Sequence, residues 1–298
     1  MRIRRDNRLF ELARRGKRLP HVVVAFMVSL LVIFLSPGGI VLLLFLRLNE
    51  STPLGSTMAL ILPFGGIVLL LFPWVRWYEK RPFWTLGFEA ARAGAKFFAG
   101  VAIAIAMYSL MVFVLLLTGQ IADAAPSEGQ TVGLAALGGV VLILLGWIVQ
   151  GSAEETLVRG YLMQVVGARH APWLGVFVQA VFFSLVHGLN PGALGVMPLL
   201  NLFLAALMFA CYALWEGGLW GVCGFHAAWN WVQGNVYGLS VSGMPLPFSV
   251  LNLRPSTGHE DWLTGGVFGP EASVVSTILM LVAASVFFWL LQRKQSRA

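Results

Sequence analysis

The sequence has few charged residues and only two cysteines. Charged side chains make up 11% of the 298 residues, while 58% are hydrophobic and the mean hydropathy is +0.81. Soluble domains are usually about 25% charged, so this composition excludes an ordinary water-soluble protein. Cys211 and Cys223 both lie in apolar stretches, where free thiols behave as small hydrophobic side chains. No disulfide framework is therefore predicted.

The net charge of +7 does not indicate a protein that binds nucleic acid. The Lys and Arg residues cluster at the two ends of the chain and beside apolar runs, which is typical of a membrane protein. We therefore expect the lipid bilayer, and no nucleic acid, as a partner.

Long apolar runs predict an all-α, polytopic transmembrane helical bundle of about eight spans. A run of about 18 or more apolar residues is long enough to cross a bilayer core of about 30 Å. The first run contains Ser36, Pro37 and two glycines, so we expect a kink or break there. The predicted spans are residues 22–46, 58–75, 97–117, 132–166, 173–189, 196–214, 219–236 and 274–291.

The basic residues also predict an orientation. With an even number of spans, both termini and the turns at Lys80 and Arg169 lie on one side, which the positive-inside rule makes cytoplasmic. We expect an integral, multi-pass protein of a bacterial cell (inner) membrane. The predicted segments are a basic cytoplasmic arm at 1–21, a single transmembrane domain at 22–292, an outer loop at 237–271 and a basic tail at 293–298. The loop is expected to be ordered over the outer face, and an inert connector is the alternative.

Three polar clusters fall within the predicted spans, where ionisable side chains are costly and usually functional. In the first cluster, Glu155 and Arg159 are four residues apart on one helical face and are expected to pair. The adjacent Glu154 points about 100° away and lacks that partner. Glu154 is therefore the expected proton acceptor, and the alternative is a pair of acids in headgroup water.

The other two clusters are His187 and the pair His226 and Asn230. His226 and Asn230 are one helical turn apart, a spacing that suits two donors aimed at one oxygen. The alternative for this pair is a hydrogen-bonded contact between packed helices. Taken alone, His187 is better explained as a packing histidine than as a catalyst.

A helical hairpin would bring the clusters to similar depth. If the fourth and fifth spans turn between Arg169 and Pro172, Glu154 and His187 lie about 16 residues from the midpoint of the turn on either side. At about 1.5 Å per residue they reach the same level and can face each other. The fourth helix must then continue past Arg159, close to its partner Glu155. We expect the clusters to converge in the cytoplasmic half to middle of the bilayer.

Together these residues resemble the CAAX prenyl endopeptidase and bacteriocin-processing family. The motifs, in order, are Glu154-Glu155-x-x-x-Arg159-Gly160, Phe183-x-x-x-His187 and His226-x-x-x-Asn230. Three short motifs in order are far more specific than any one of them. The resemblance implies a helical intramembrane endopeptidase, with its protease-like core at about 81–236, that cleaves a membrane-associated peptide or protein.

The resemblance also implies roles for the motif residues. Glu154 and His187 would activate a water molecule, while His226 and Asn230 would form the oxyanion site. The architecture would be held by Glu155 and Arg159, and Phe183 would be a packing residue. The expected catalytic residues are thus Glu154, His187, His226 and Asn230, and the expected supporting residues are Glu155, Arg159 and Phe183. No cofactor is expected on this basis.

Three other functions stay open. Two histidines and a carboxylate also make a catalytic zinc site, with Glu154 and both motif histidines as ligands, although the chain lacks H-E-x-x-H. In a transporter or channel, Gln150, Gln179 and Asn201 would line the pathway, but no internal repeat favours this. The third alternative is a membrane scaffold without catalytic activity.

Overall fold

The computed structural model describes residues 3–297, and residues 1, 2 and 298, at the ends of the predicted basic arm and tail, lie outside it. Most of this range is helical. The helices are α1 (Arg8–Arg14), α2 (Val22–Phe45), α3 (Pro53–Tyr78), α4 (Ala93–Leu117), α5 (Gly133–Arg169), α6 (Pro172–His187), α7 (Val196–Glu216), α8 (Trp220–Trp231), α9 (Asp261–Thr264) and α10 (Val274–Arg297). Separate 3₁₀ turns occur at Phe83–Leu86, Gly266–Phe268 and Pro270–Ala272.

Within residues 3–297, six helices are long and apolar enough to cross a membrane, namely α2, α3, α4, α5, α7 and α10. The two other predicted spans coincide with shorter helices. α6 has 16 residues, and α8 has 12 residues followed by a five-residue π-helical turn at Val232–Val236. The predicted all-α, polytopic bundle is confirmed, with six spans by length and composition alone.

The first span is interrupted where the sequence predicts it. α2 consists of the α-helical segments Val22–Leu35 and Gly38–Phe45, with Ser36 and Pro37 between them. Proline has no N–H to donate and clashes with the preceding turn. The Ser36 hydroxyl donates instead to the Ile33 carbonyl oxygen, at 2.9 Å.

Two helices change from α to π geometry next to the motifs. In α5, the α-helical segment Leu137–Glu155 is followed by a π-helical segment, Thr156–Met163, before α geometry resumes at Gln164. The π-helical turn after α8 starts two residues beyond Asn230. Such segments are rare and often occur at functional sites. Hydrophobic periodicity did not predict them, because they shift the pattern by only a fraction of a turn.

Glycines allow α8 to approach its neighbours closely. A Cβ atom at Gly100 of α4 would lie 1.9 Å from the Gly221 carbonyl oxygen of α8. A Cβ atom at Gly151 of α5 would lie 2.9 Å from the Ala227 nitrogen, also in α8. Close backbone contacts through small residues are common between membrane helices. α8, which carries the third motif, is therefore held directly against α4 and α5.

Four short strands, not predicted from the sequence, connect two loops on the same face of the bundle. They are β1 (Ile121–Asp123), β2 (Thr131–Val132), β3 (Phe248–Ser249) and β4 (Leu253–Pro255). β1 pairs antiparallel with β4, and β2 pairs parallel with β3. The connection between α4 and α5 is thereby tied to the long segment that follows α8.

The N-terminal arm contains a packed amphipathic helix at the opposite face. Phe10 and Leu12 of α1 have no exposed surface. A Cβ atom at Gly167 would lie 2.2 Å from Phe10 Cε1, so α1 lies against the last turns of α5. Arg8 Nε donates to Glu89 Oε2 at 2.8 Å, and this guanidinium lowers the pKa of the Glu89 carboxyl.

A buried charged cluster at the same face was not identified from the sequence. Arg81 Nε donates to Glu79 Oε2 at 2.6 Å, and Arg81 Nη1 donates to Gln164 Oε1 at 3.0 Å. Both charged side chains are fully buried. Removal from water raises the pKa of the Glu79 carboxyl, although Arg81 opposes this shift. The cluster fastens the segment after α3 to the end of α5.

Candidate active site

Glu154, His187 and His226 lie on three different helices and meet at one point. Glu154 Oε2 is 3.9 Å from His187 Nε2 and 3.7 Å from His226 Nε2. The predicted hairpin is present, since α5 ends at Arg169 and α6 begins at Pro172. Proline at the first helical position is favourable because its missing N–H would have no partner in the helix. The hairpin therefore sets Glu154 and His187 at the same level.

The hydrogen bonds of the two imidazoles define which ring nitrogens face Glu154. His187 Nδ1 lies 2.9 Å from the Phe183 carbonyl oxygen, which can only accept, so Nδ1 carries the proton. His226 Nδ1 likewise donates to Glu155 Oε1 at 2.9 Å. In neutral rings, both Nε2 lone pairs then point toward Glu154 Oε2. Three acceptor atoms facing one another require a hydrogen-bond donor or a positive charge between them.

The Glu155 and Arg159 pair expected from their spacing is present beneath this point. Arg159 Nη1 donates to Glu155 Oε1 at 2.9 Å, and both side chains are fully buried. The guanidinium lies over the rings of Phe183 and Phe209, at 4.5 and 5.0 Å from their centroids. Glu155 Oε1 thus accepts from both Arg159 and His226, which couples the ion pair to the imidazole.

Two residues belong to the site although the sequence did not predict them as part of an active site. Phe209 of α7 packs on the ring of His226, with 5.2 Å between ring centroids, but a single aromatic residue in an apolar helix looks like ordinary core. Gln150 lies one helical turn before Glu154, and its Nε2 donates to Glu154 Oε1 at 2.8 Å. That four-residue spacing was the available signal for Gln150.

Gln150 also contacts the third motif. Asn230 Nδ2 donates to Gln150 Oε1 at 3.0 Å. A carboxamide nitrogen carries two hydrogens, so the second hydrogen of Asn230 is not used by this bond. Asn230, Gln150 and Glu154 form a continuous hydrogen-bonded chain across α8 and α5, and the three side chains all line one cavity.

That cavity has a volume of about 620 Å³ and contains all four predicted catalytic residues in its wall. Apolar side chains of α2 and α3 supply much of the remaining surface, including Ile40, Leu60 and Phe64. Pockets of this kind, largely apolar with a few convergent polar groups, are typical of ligand and active sites.

Glu271, the last residue of the predicted outer loop, is a further carboxylate in the cavity wall. Its Oε2 accepts from the Ser242 backbone nitrogen at 2.7 Å and from the Ser242 hydroxyl at 3.1 Å. Its carbonyl oxygen accepts from Asn201 Nδ2 at 2.8 Å. Removal from water raises the pKa of the Glu271 carboxyl. These bonds hold the segment after α8 over the cavity.

The distances between Glu154 and the two histidines are longer than those between ligand atoms of a zinc site. Both histidines donate Nδ1–H to an oxygen, as zinc-binding histidines do. Zinc bonds of about 2.0–2.1 Å would place tetrahedral ligand atoms about 3.4 Å apart, whereas Glu154 Oε2 lies 3.7 and 3.9 Å from the two Nε2 atoms. Across residues 3–297, no three or more His, Cys, Asp or Glu side chains are grouped so that they could hold a metal ion.

Comparison with known proteins gives one family match. The family model described as type II CAAX prenyl endopeptidase Rce1-like matches residues 136–232, about a third of the chain, and this region contains all three motifs. No curated protein and no solved structure matches. The family match confirms the resemblance predicted from the motifs. The chain is therefore an integral, multi-pass membrane protein in which residues 136–232 are similar to the Rce1-like endopeptidase family.

Proposed function

We propose that this chain is an intramembrane endopeptidase that hydrolyses a peptide bond with a water molecule activated by Glu154. The observation that carries the proposal is the approach of His187 Nε2 and His226 Nε2 to Glu154 Oε2. One water molecule bridging Glu154 and His187 would make a hydrogen bond to each across their 3.9 Å separation.

In the proposed reaction, Glu154 Oε2 removes one proton from this water, while His187 Nε2 accepts a hydrogen bond from its other O–H. The resulting hydroxide attacks the peptide carbonyl carbon, and His226 and Asn230 stabilise the oxyanion that forms. Glu154 then returns the proton to the departing amine as the C–N bond breaks. No covalent enzyme intermediate is formed.

Charge balance supports the oxyanion role of His226. Because its Nδ1 proton is bound to Glu155, His226 donates from Nε2 only when the ring is doubly protonated. Glu154 and Glu155 would leave one negative charge uncompensated by Arg159, and buried charges are costly unless they are paired. A protonated His226 neutralises the cluster.

We further propose that all eight predicted spans lie in the membrane, with both termini cytoplasmic. Each of the eight apolar windows coincides with a helix, and α6 and α8 carry site residues although they are short. The proposed segments are the basic arm at 1–21, the transmembrane domain at 22–292, the outer loop at 237–271 and the basic tail at 293–298. A bacterial inner membrane and a membrane-associated peptide or protein substrate complete the proposal.

A peptidase assay in liposomes with candidate membrane-anchored peptides tests this function. Glu154→Gln and His187→Ala should each lower the cleavage rate by at least about 100-fold, the scale of general acid–base catalysis. Glu128→Gln and His259→Ala change exposed loop residues of the same types and should cleave at the parental rate. Parental rates in both site variants would show that the site assignment is wrong.

The alternatives predict other results. In a zinc enzyme that uses Glu154, His187 and His226, the purified protein would contain stoichiometric zinc, and chelation would abolish cleavage. If the protein is a membrane scaffold without catalytic activity, cells that carry Glu154→Ala should have the same phenotype as cells with the parental protein. In the proposed glutamate mechanism, chelation leaves the rate unchanged.

A further inference from the structure

The cavity reaches only one face of the bundle. Its wall includes Glu50 from the α2–α3 connection, Asn190 from the α6–α7 connection, and Ser242 and Glu271 from the segment between α8 and α10. All of these connections lie at the helix ends opposite the basic turns. Among its described lining residues, none belongs to the turns that join α3 to α4, α5 to α6 or α7 to α8.

Helix lengths place the site near the middle of the membrane. Glu154 precedes Arg169 by 15 residues, and His187 follows Pro172 by 15 residues. At about 1.5 Å per residue, both side chains are about 22 Å from the basic turn. Along α8, His226 lies nine residues, or about 14 Å, from Gly217 in another turn at the basic face. The hydrocarbon core is about 30 Å thick, so the catalytic point lies near the middle of the membrane.

The path from the site to the basic face is filled by side chains. Below Glu154, Tyr161 and Met163 have no exposed surface and do not line the cavity. Phe10 of α1 covers Gly167 at the end of α5. The Glu79–Arg81 pair is also fully buried, in the connection between α3 and α4. A substrate approaching from this face would have to displace packed core.

The charges in the cavity wall indicate which kind of peptide the cavity can bind. Glu50, Glu154 and Glu271 line the cavity, and its described wall contains no Lys or Arg. An acidic side chain near the cleaved bond would therefore meet like charge in a largely apolar cavity. An apolar segment with neutral or basic neighbours fits this surface.

Building on the proposed function, we propose that the substrate enters from the face opposite the basic arm. By the positive-inside rule this is the non-cytoplasmic face. The substrate is then an apolar peptide segment, free of acidic groups near the cleaved bond, at the outer side of the membrane. The segment after α8, held by Ser242 and Asn201, forms the roof under which this peptide binds.

Labelling with a membrane-impermeant maleimide tests the access route without relying on catalysis. The native Cys211 and Cys223 are buried, so the parental chain should give little background. Cysteines are introduced singly at two cavity positions, Met244→Cys and Ala59→Cys. Exposed positions Glu128→Cys and Lys17→Cys mark the outer and basic faces.

In right-side-out vesicles, Met244→Cys and Ala59→Cys should label together with Glu128→Cys, several-fold more than Lys17→Cys. Lys17→Cys should reach their level only after permeabilisation. Labelling of the two cavity cysteines only under the conditions that label Lys17→Cys would overturn the proposal, and so would failure of both to label from either side.

A second measurement tests the substrate chemistry. Single-span reporter peptides carry the same apolar segment on the outer or the cytoplasmic side, and an outer version carries glutamates beside it. Only the neutral outer peptide should be cleaved well. Cleavage of the cytoplasmic version alone contradicts the access route, and equal cleavage of the acidic version contradicts the charge argument. Loss of all cleavage with normal labelling would instead reject the proposed peptidase function.

Discussion

At the scale of single residues, Gln150 is the least expected part of the site, because it connects the proposed base to the proposed oxyanion donor. Gln150→Leu removes the donor to Glu154 Oε1 and the acceptor for Asn230. We expect kcat to fall by about 10- to 100-fold with a smaller change in KM, since misplacement by about 1 Å costs up to that much. Steady-state kinetics on the membrane-anchored peptide measures both constants.

Two further variants separate positioning from general stability. Gln150→Glu keeps an acceptor for Asn230 but does not donate to Glu154 when ionised, so it should also lose kcat. Gln179 is a buried glutamine that donates to the carbonyl oxygens of Val176 and Ala206, away from Glu154. Gln179→Leu should leave kcat of the folded protein unchanged, and an equal loss in both glutamine variants would contradict the role of Gln150.

The Glu155–Arg159 pair makes a prediction about stability. Arg159→Met leaves a buried carboxylate without its cation, which typically costs about 3–5 kcal/mol. Thermal unfolding in detergent should therefore show a clear drop in Tm. The double variant Glu155→Gln/Arg159→Met should recover part of that loss, because no unpaired charge is left. A double variant as unstable as Arg159→Met would mean that packing over Phe183, and not charge, dominates.

Sequence spacing predicted the contacts within one helix or across one tight turn. The Glu155–Arg159 pair follows from a four-residue separation, and the level shared by Glu154 and His187 follows from the hairpin. The clusters on helices distant in the chain were expected to converge, but the individual contact between Asn230 and Gln150 was missed. That contact depends on how α8 is rotated against α5, and a local pattern of residue types contains no such information.

At the scale of helices, two glycines of α4 form a matched pair. Gly100 faces α8, where an added Cβ would lie 1.9 Å from the Gly221 carbonyl oxygen, whereas a Cβ at Gly94 meets nothing within 4 Å. Gly100→Ala should push α8 away and lower both Tm and activity. Gly94→Ala should be neutral or stabilising by up to about 1 kcal/mol. Similar behaviour of the two variants would contradict the close contact.

The elements themselves were predictable where a strong local rule applies. Proline predicted the interruption of α2, and long apolar runs predicted the helices. The short strands were not predictable, because two or three residues carry no periodicity and β1 pairs with a strand more than a hundred residues away. The orientation and the full number of spans depend on how the helices lie in the membrane. The only sequence feature that reports on this is the position of the basic turns.

At the scale of the whole molecule, Glu271 makes the stability of the folded protein depend on pH. Burial raises its pKa in the folded protein, so the folded state holds this proton more tightly than the unfolded state. The stability that Glu271 contributes is therefore present below the ordinary glutamate pKa and declines as the pH rises through the raised pKa of the folded state.

We expect the Tm of the parent to fall as the pH rises above the ordinary glutamate pKa, and Glu271→Gln to show a weaker dependence on pH. Glu128→Gln, a change at an exposed carboxylate, should retain the parental slope. Thermal unfolding in detergent across this pH range provides the comparison. Identical slopes in the parent and Glu271→Gln would show that the Glu271 carboxyl does not titrate differently on unfolding.

The packed layer beneath the site has a consequence for the cell as well as for catalysis. A hydrolase must admit water to its catalytic atoms, yet a wet channel through the bilayer would let protons and ions leak and would dissipate the electrochemical gradient. The paired charges of Glu155 and Arg159, together with the buried Tyr161 and Met163, end the cavity before it crosses. The protein can thus carry out an aqueous reaction inside the membrane while the membrane stays an electrical insulator.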